Sequence, residues 1–230
     1  KIEFYKMQDL TLVIPAKYES ESLPTFLSEI KHLSFKKLVV LQEDDVATIN
    51  SIKEFDDVEI LYQTEKGYGS ALLEGIKYTS TSYFCIINAD GSMNPGYLDK
   101  MLLLIKKDNL DFLFASRYEM PGGGSDDDDF ITSFGNFIFT KIGNFFFSLK
   151  ITDILFTYVM GKTKLFNDLK LNSKDFTLCV EFPIELNRKK HHYTTIPSYE
   201  RSRIGGKKKV NVFKDGLLIL LKMIKMFFIK

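Results

Sequence analysis

A chain of 230 residues that is 45% hydrophobic can bury a full core, as one large domain or as two close halves. Its 31 lysines and arginines nearly balance 30 aspartates and glutamates, so no bulk basic charge points to a nucleic acid, and none is expected as a partner. The two cysteines lie in apolar runs and read as buried inert thiols, and no stretch reaches about 18 uncharged apolar residues, which excludes a lone bilayer span. Charge is nevertheless uneven. Residues 186–230 hold 12 Lys or Arg against 2 Asp or Glu, which suits phosphates or an anionic surface, while Asp126 to Asp129 form the opposite extreme.

In chain order, Leu10 to Ile14 reads as a short buried strand stopped by Pro15, and a helical pattern follows from Leu23-Pro24 to about His32. Lys37 to Leu41 is a second strand ending in Gln42-Glu43-Asp44-Asp45. A helix over Ile49 to Phe55 and a strand over Val58 to Tyr62 come next. Gly67-Tyr-Gly69 leads into a helix over Ser70 to Tyr78. Tyr83 to Ile87 is an apolar run that ends abruptly in Asn88-Ala89-Asp90-Gly91, a buried strand delivering an acidic turn. A helix from Tyr97 to Lys107 and a strand from Phe112 to Ser116 complete the first half, with Arg117 at that strand's end. Strands alternating with helices at this pace predict a mostly parallel, three-layer α/β sheet.

Pro121-Gly-Gly-Gly-Ser125 and the four aspartates read as a loop and mark the boundary between halves, 1–120 and 121–211. Ile131 to Leu149 is crowded with phenylalanine and reads as one or two helices, facing either the core or lipid. Asp153 to Met160 and Leu165 to Leu171 read as short helical or irregular links. Phe176 to Ile184 reads as a strand entering a helix, and Thr194 to Pro197 as the last strand. A basic loop from Glu200 to Lys209 precedes a final amphipathic helix, residues 212–230.

Asn88 and Asp90 stand two apart, so both side chains can point to one side of an extended segment. Two hard oxygen donors at that spacing suit Mg²⁺ or Mn²⁺ held together with a diphosphate. The dehydrogenase form of a nucleotide-binding sheet fails early, because Pro-Ala-Lys-Tyr-Glu stands where its glycine fingerprint belongs.

Seven pieces in order resemble the inverting GT-A glycosyltransferases of family 2, in the polyprenyl-phosphate (dolichol-phosphate mannose synthase-like) branch. Pro15-Ala16-Lys17-Tyr18-Glu19 resembles the family's Pro-Ala-x-Asn-Glu, with Tyr18 in the Asn position. Asp44-Asp45 resembles the pair that ends the second strand, Lys66-Gly-Tyr-Gly69 the Lys-Gly-x-Gly turn, and Asn88-Ala89-Asp90 the Asp-x-Asp motif. Ser116-Arg117-Tyr118 resembles the acceptor-phosphate segment, Asp153 with Thr157-Tyr158 the motif after it, and Arg203 to Lys209 the late Arg-x-x-Gly-x-Ser-Lys loop.

The resemblance implies a Rossmann-like GT-A fold with amphipathic C-terminal helices, and transfer of a sugar from a nucleoside-diphosphate sugar, UDP or GDP, to a lipid phosphate. It further implies that Asp90, Asn88 and Ser92 meet the metal, and that Arg203 and Lys209 close over the diphosphate. Pro15, Ala16, Glu19, Asp44, Asp45, Lys66, Gly69 and Ala89 would then form the nucleotide site, and Arg117 would anchor the acceptor. Asn88 departs from the family's first Asp, Lys208 from its Ser, and Asp126 to Asp129 stand just beyond the Gly-Gly-Ser where the branch carries a second Arg.

If the acceptor is instead a sugar hydroxyl, a carboxylate must take its proton, and Glu181 is one candidate. A membrane-attached binding protein that has lost transfer activity is the reading from another class. Phe213, Leu217, Leu220, Leu221, Ile224, Phe227 and Phe228 fall at helical spacing with lysines beside them. Such a helix is expected to lie on the inner, cytoplasmic face of a membrane. A homodimer face is the alternative for the same stripe.

Overall fold

The computed structural model describes residues 9–206 and 208–229. Continuous apolar runs make the central strands, because a parallel sheet covered on both faces needs apolar side chains on both. Strand β1 (Leu10–Pro15) is buried along its whole length. With β2 (Lys36–Leu41), β3 (Val58–Tyr62), β4 (Tyr83–Ile86), β5 (Phe112–Ser116), β7 (Val159–Lys162) and β8 (Tyr193–Pro197) it forms one sheet ordered β3-β2-β1-β4-β7-β5-β8. Every pairing is parallel except those of β7, which runs antiparallel between β4 and β5. The sheet therefore runs across the boundary expected at residue 120. A small second sheet pairs β6 (Gly124–Ser125) with β9 (Tyr199–Glu200).

Alternation along the strands builds two cores. Leu10, Leu12 and Ile14 face α1 (Leu23–Ile30) and α4 (Leu98–Lys107). Val13, Leu38 and Val40 face α3 (Tyr68–Tyr78), α6 (Thr163–Asp168) and α7 (Leu178–Arg188). These are the three layers expected of the α/β architecture.

Three local expectations are corrected and a fourth is narrowed. The helix expected over Ile49 to Phe55 is α2, Val46–Ser51, because the Asp45 carboxylate accepts from the Thr48 N–H and caps it early. Phe176 to Ile184 is not a strand. Helix α7 buries Leu178, Phe182 and Leu186 on one side and Val180 and Ile184 on the other, so its run is apolar all round and imitates a strand. Residues read as an irregular link contain β7, a four-residue strand whose partners lie far away in sequence. The phenylalanine-rich segment is a single helix, α5 (Phe130–Phe147), capped by Asp129.

A third core lies under α5 and α8 (Val212–Phe228), where Ile219, Met223 and Met226 meet Val180 and Ile184. The apolar stripe read from the sequence points the other way. Phe213, Leu217, Leu220, Leu221, Ile224, Phe227 and Phe228 are exposed, as are Phe130, Phe134, Phe137 and Phe145 of α5. Phe227 packs edge-on to Phe146 at 5.4 Å, which joins the two outer faces. Lys230 lies outside the described residues.

A Cβ at Gly161 would collide with the Phe112 ring and lie 3.0 Å from Phe84, since β7 is threaded between them. Gly161→Val should lower the unfolding free energy by about 1–3 kcal/mol, measured by urea denaturation.

Candidate active site

The site lies along the C-terminal edge of β1, β2 and β4, where parallel α/β sheets present ligands. After β4, Ala89 is buried while Asn88 and Asp90 are half-buried. Asp90 Oδ1 accepts from the Ser92 N–H at 3.1 Å, and Gly91, at φ 74°, makes the turn in the left-handed region. The Tyr68 hydroxyl donates to Asn88 Oδ1 at 3.1 Å and shares a second hydrogen bond with Thr157 Oγ at 2.6 Å. Burial pushes the Tyr68 pKa far up, so it stays a neutral donor. Sequence reasoning passed over Tyr68, which is the variable position of its Lys-Gly-x-Gly turn.

Ser92, expected as a third metal contact, is 2% exposed and shapes the turn from beneath. Asp90 and Asn88 remain, one carboxylate and one amide oxygen with a spare lone pair. That set of hard oxygens fits Mg²⁺ or Mn²⁺, which take few protein ligands and complete their shell with phosphate and water. No cluster of three His, Cys, Asp or Glu able to hold a metal occurs among the described residues.

The first loop supports the site more than it lines it. Pro15 pairs in register with Val40, and the Ala16 N–H donates to the Val40 carbonyl at 2.9 Å. Tyr18 holds φ 53°, a left-handed conformation that suits the Asn of the family pattern. Its N–H donates to Asp45 at 2.6 Å, so Asp45, expected at the nucleoside, is 4% exposed and joins the loop to α2. Glu19 accepts from Lys209 Nζ at 2.6 Å and from Ser22 Oγ at 2.5 Å. Glu19 and Lys209 therefore neutralise each other and strap the late loop onto the first.

Asp44 is exposed, and with Gln42, Glu43, Gln63 and Lys66 it lines an open cavity of about 380 Å³ beyond β2 and β3. The structure thus brings Asp44 and Lys66 together. Gly69 has another task than the one expected. A Cβ there would collide with the Ser173 carbonyl, and one at Gly67 with that of Lys174, so the glycines let residues 173–174 close against α3.

Arg117 is the largest correction. It was expected to meet an acceptor phosphate, yet it is 8% exposed and committed inside the protein. Its Nε and Nη2 donate to Asp153 at 2.7 and 2.9 Å, and Nη1 donates to Glu200 at 3.1 Å. Burial opposes its charge, but Asp153 and Glu200 together more than offset this and hold its pKa well above the ordinary value. Glu181 is likewise structural. It accepts from the Ser173 N–H at 2.7 Å and from Lys222 Nζ at 2.9 Å. Burial works against its charge, yet these partners hold its pKa below the usual carboxylate value.

Arg203 does reach the site. Its Nη1 lies 3.7 Å from Asp90 Oδ2, while Nε and Nη2 donate to Asp127 at 3.1 and 2.7 Å. The Ile204 N–H donates to the Asp90 carbonyl at 2.8 Å, which pins this loop over the turn.

A mostly parallel seven-stranded sheet flanked by helices, with an acidic turn facing a basic late loop, is the arrangement of a GT-A fold. Solved structures agree. The chain matches the crystal structure of glucosyl-3-phosphoglycerate synthase from Mycobacterium tuberculosis in complex with uridine diphosphate at a TM-score of 0.67 and 12% identity, over 96% of this chain and 80% of that one. It matches the same enzyme in complex with Mn²⁺, UDP-glucose and phosphoglyceric acid at 0.64 and 13%, again over 96% and 80%. The model of "Glycosyl transferase family 2" matches residues 11–170, and the chain belongs to that family. Uncharacterized glycosyltransferases of Mycobacterium bovis and M. tuberculosis are 34% identical over 100 residues, which span 43% of this chain and 44% of theirs.

Removing one partner of a buried ion pair strands the other, so Arg117→Ala should cost about 3–5 kcal/mol of stability. Urea unfolding followed by circular dichroism measures it.

Proposed function

We propose that this family 2 glycosyltransferase moves a sugar from a uridine diphosphate sugar, with Mg²⁺ or Mn²⁺, to a lipid phosphate at the cytoplasmic face of a membrane. The observation that carries the reading is the approach of Arg203 to Asp90 at 3.7 Å across the turn that also presents Asn88. A cation and an acidic turn so placed can hold a diphosphate between them. UDP and Mn²⁺ in the structural neighbours support the same donor and metal.

Asp90 and Asn88 would hold the metal, which supplies positive charge to the donor diphosphate when bound. The bond from the anomeric carbon to the diphosphate oxygen breaks, and its electron pair leaves with UDP. Arg203 donates to that oxygen side as the charge grows. An acceptor phosphate oxygen forms the new bond from the opposite face. It is already anionic, so no general base is required, consistent with a Glu181 that is committed to Lys222.

Two features support an acceptor held in lipid. The outer faces of α5 and α8 expose a contiguous set of phenylalanines and leucines, far from the usual scattered pattern. Lys141, Lys214 and Lys225 stand exposed on the same helices, and the single acid there, Asp215, accepts from the Asn211 N–H at its own helix start. Each lysine adds about 1 kcal/mol of attraction to an anionic leaflet. No helix among the described residues is long and apolar enough to cross a membrane. The second reading is a soluble phosphorylated acid as acceptor, favoured by the phosphoglyceric acid bound in a neighbour.

Purified protein offered UDP-glucose with a polyprenyl phosphate in anionic vesicles, or with phosphoglyceric acid, separates these. The expected product partitions into organic solvent, and transfer to phosphoglyceric acid alone overturns the lipid reading. The protein should float with anionic vesicles at low salt. The triple variant Phe213→Ser, Leu217→Ser, Phe228→Ser should stay in the soluble fraction. Asp90→Ala should lower kcat on the order of a hundredfold or more, and Asn88→Asp should tighten Mn²⁺ binding in calorimetry.

A further inference from the structure

Four consecutive aspartates repel one another, so each needs a partner to stay ordered beside the site. Asp126 accepts from the Tyr199 hydroxyl at 2.6 Å. Asp128 accepts from the Tyr118 hydroxyl and lies 3.5 Å from Arg117. Asp129 caps α5 through the Thr132 N–H at 2.9 Å. These three serve the fold. Asp127 alone pairs with a cation that also faces the acidic turn.

The Asp127 carboxylate takes both Nε and Nη2 of Arg203 in a two-point fork, the geometry in which a guanidinium also grips phosphate oxygens. Asp127 and Asp90 together outweigh the one guanidinium between them. Lys208 donates to the Asp127 carbonyl at 2.5 Å and lies 3.4 Å from Asp129, so a second cation of the late loop is also held by the acidic run. Both loops are fixed at their roots, because Gly124 and Ser125 pair with Tyr199 and Glu200. Asp127 therefore reaches Arg203 from a rigid base.

We infer that Asp127 is a built-in counter-ion that occupies Arg203 until the donor diphosphate displaces it, and thereby sets the affinity for the nucleotide. The inference rests on the donor-site reading above. The exchange involves no covalent step: a diphosphate, with more charge and more acceptor oxygens, takes the fork that the carboxylate leaves. Arg203 is thus kept oriented while the site is empty, and donor binding is weaker for it.

The test is UDP binding with Mn²⁺, by calorimetry at low ionic strength, on the wild type and on Asp127→Asn, Asp126→Asn and Arg203→Ala. Asp127→Asn keeps the shape of the side chain and should bind UDP about threefold to tenfold more tightly, a gap that narrows as salt rises. Asp126→Asn removes the same charge from the same loop and should stay within about twofold of wild type. Equal tightening in both variants overturns the inference in favour of net charge. Weakened binding in Arg203→Ala with no tightening in Asp127→Asn overturns it alone. Unchanged binding in Arg203→Ala overturns the donor-site reading and this inference with it. Asp127→Ser, with its melting temperature, guards against a loop that fails to form.

Discussion

The buried charge of Arg117 is the constraint on which the site half of the molecule depends. A guanidinium at 8% exposure is tolerated only while Asp153 and Glu200 both face it. Asp153 follows α5, Glu200 lies in β9, and Arg117 ends β5, so three separated segments must converge before that charge is satisfied. Asn136 donates to the same Asp153 carboxylate at 2.8 Å, which brings α5 in. Glu200 sits where β9 meets β6, and the late loop with Arg203 begins directly after it. The position of the late loop is therefore set by a buried ion cluster.

This division explains why motif residues were assigned a ligand more often than they face one. Glu19, Asp45 and Lys209 are charged groups near the site, but each is held by another part of the protein. Asp44 and Lys66 line the open cavity, while Asn88, Asp90 and Arg203 meet at the acidic turn. Charge near a sheet's C-terminal edge can either grip a ligand or hold the loops that do, and only distances separate the two.

Much of the fold was legible. Strands β1 to β5 and helices α3 and α4 carry clean periodicity and turn signals, and their bounds came out within a few residues. What failed has physical causes. Helix α7 is buried on two sides and so lacks an amphipathic stripe. Strand β7 is four residues long and exists only because β4 and β5 accept it from either side. At the site, the acidic turn and Arg203 were readable because spacing and family order mark them. The partner of Arg203 was not, because nothing local ties Asp127 to a residue 76 positions away.

One packing detail reaches further than its size suggests. Ser173 has its carbonyl against Gly69, where no Cβ fits, and its N–H on Glu181, which in turn holds Lys222 of the outer helix. Position 68, beside that glycine, is the tyrosine that orients Asn88. A substitution that enlarged residue 69 would thus push on 173, slacken the grip of 181 on 222, and tilt the phenol at 68. Positions 69, 173, 181 and 222 are coupled through contact, and the space left by a missing side chain helps to hold the outer helix in place.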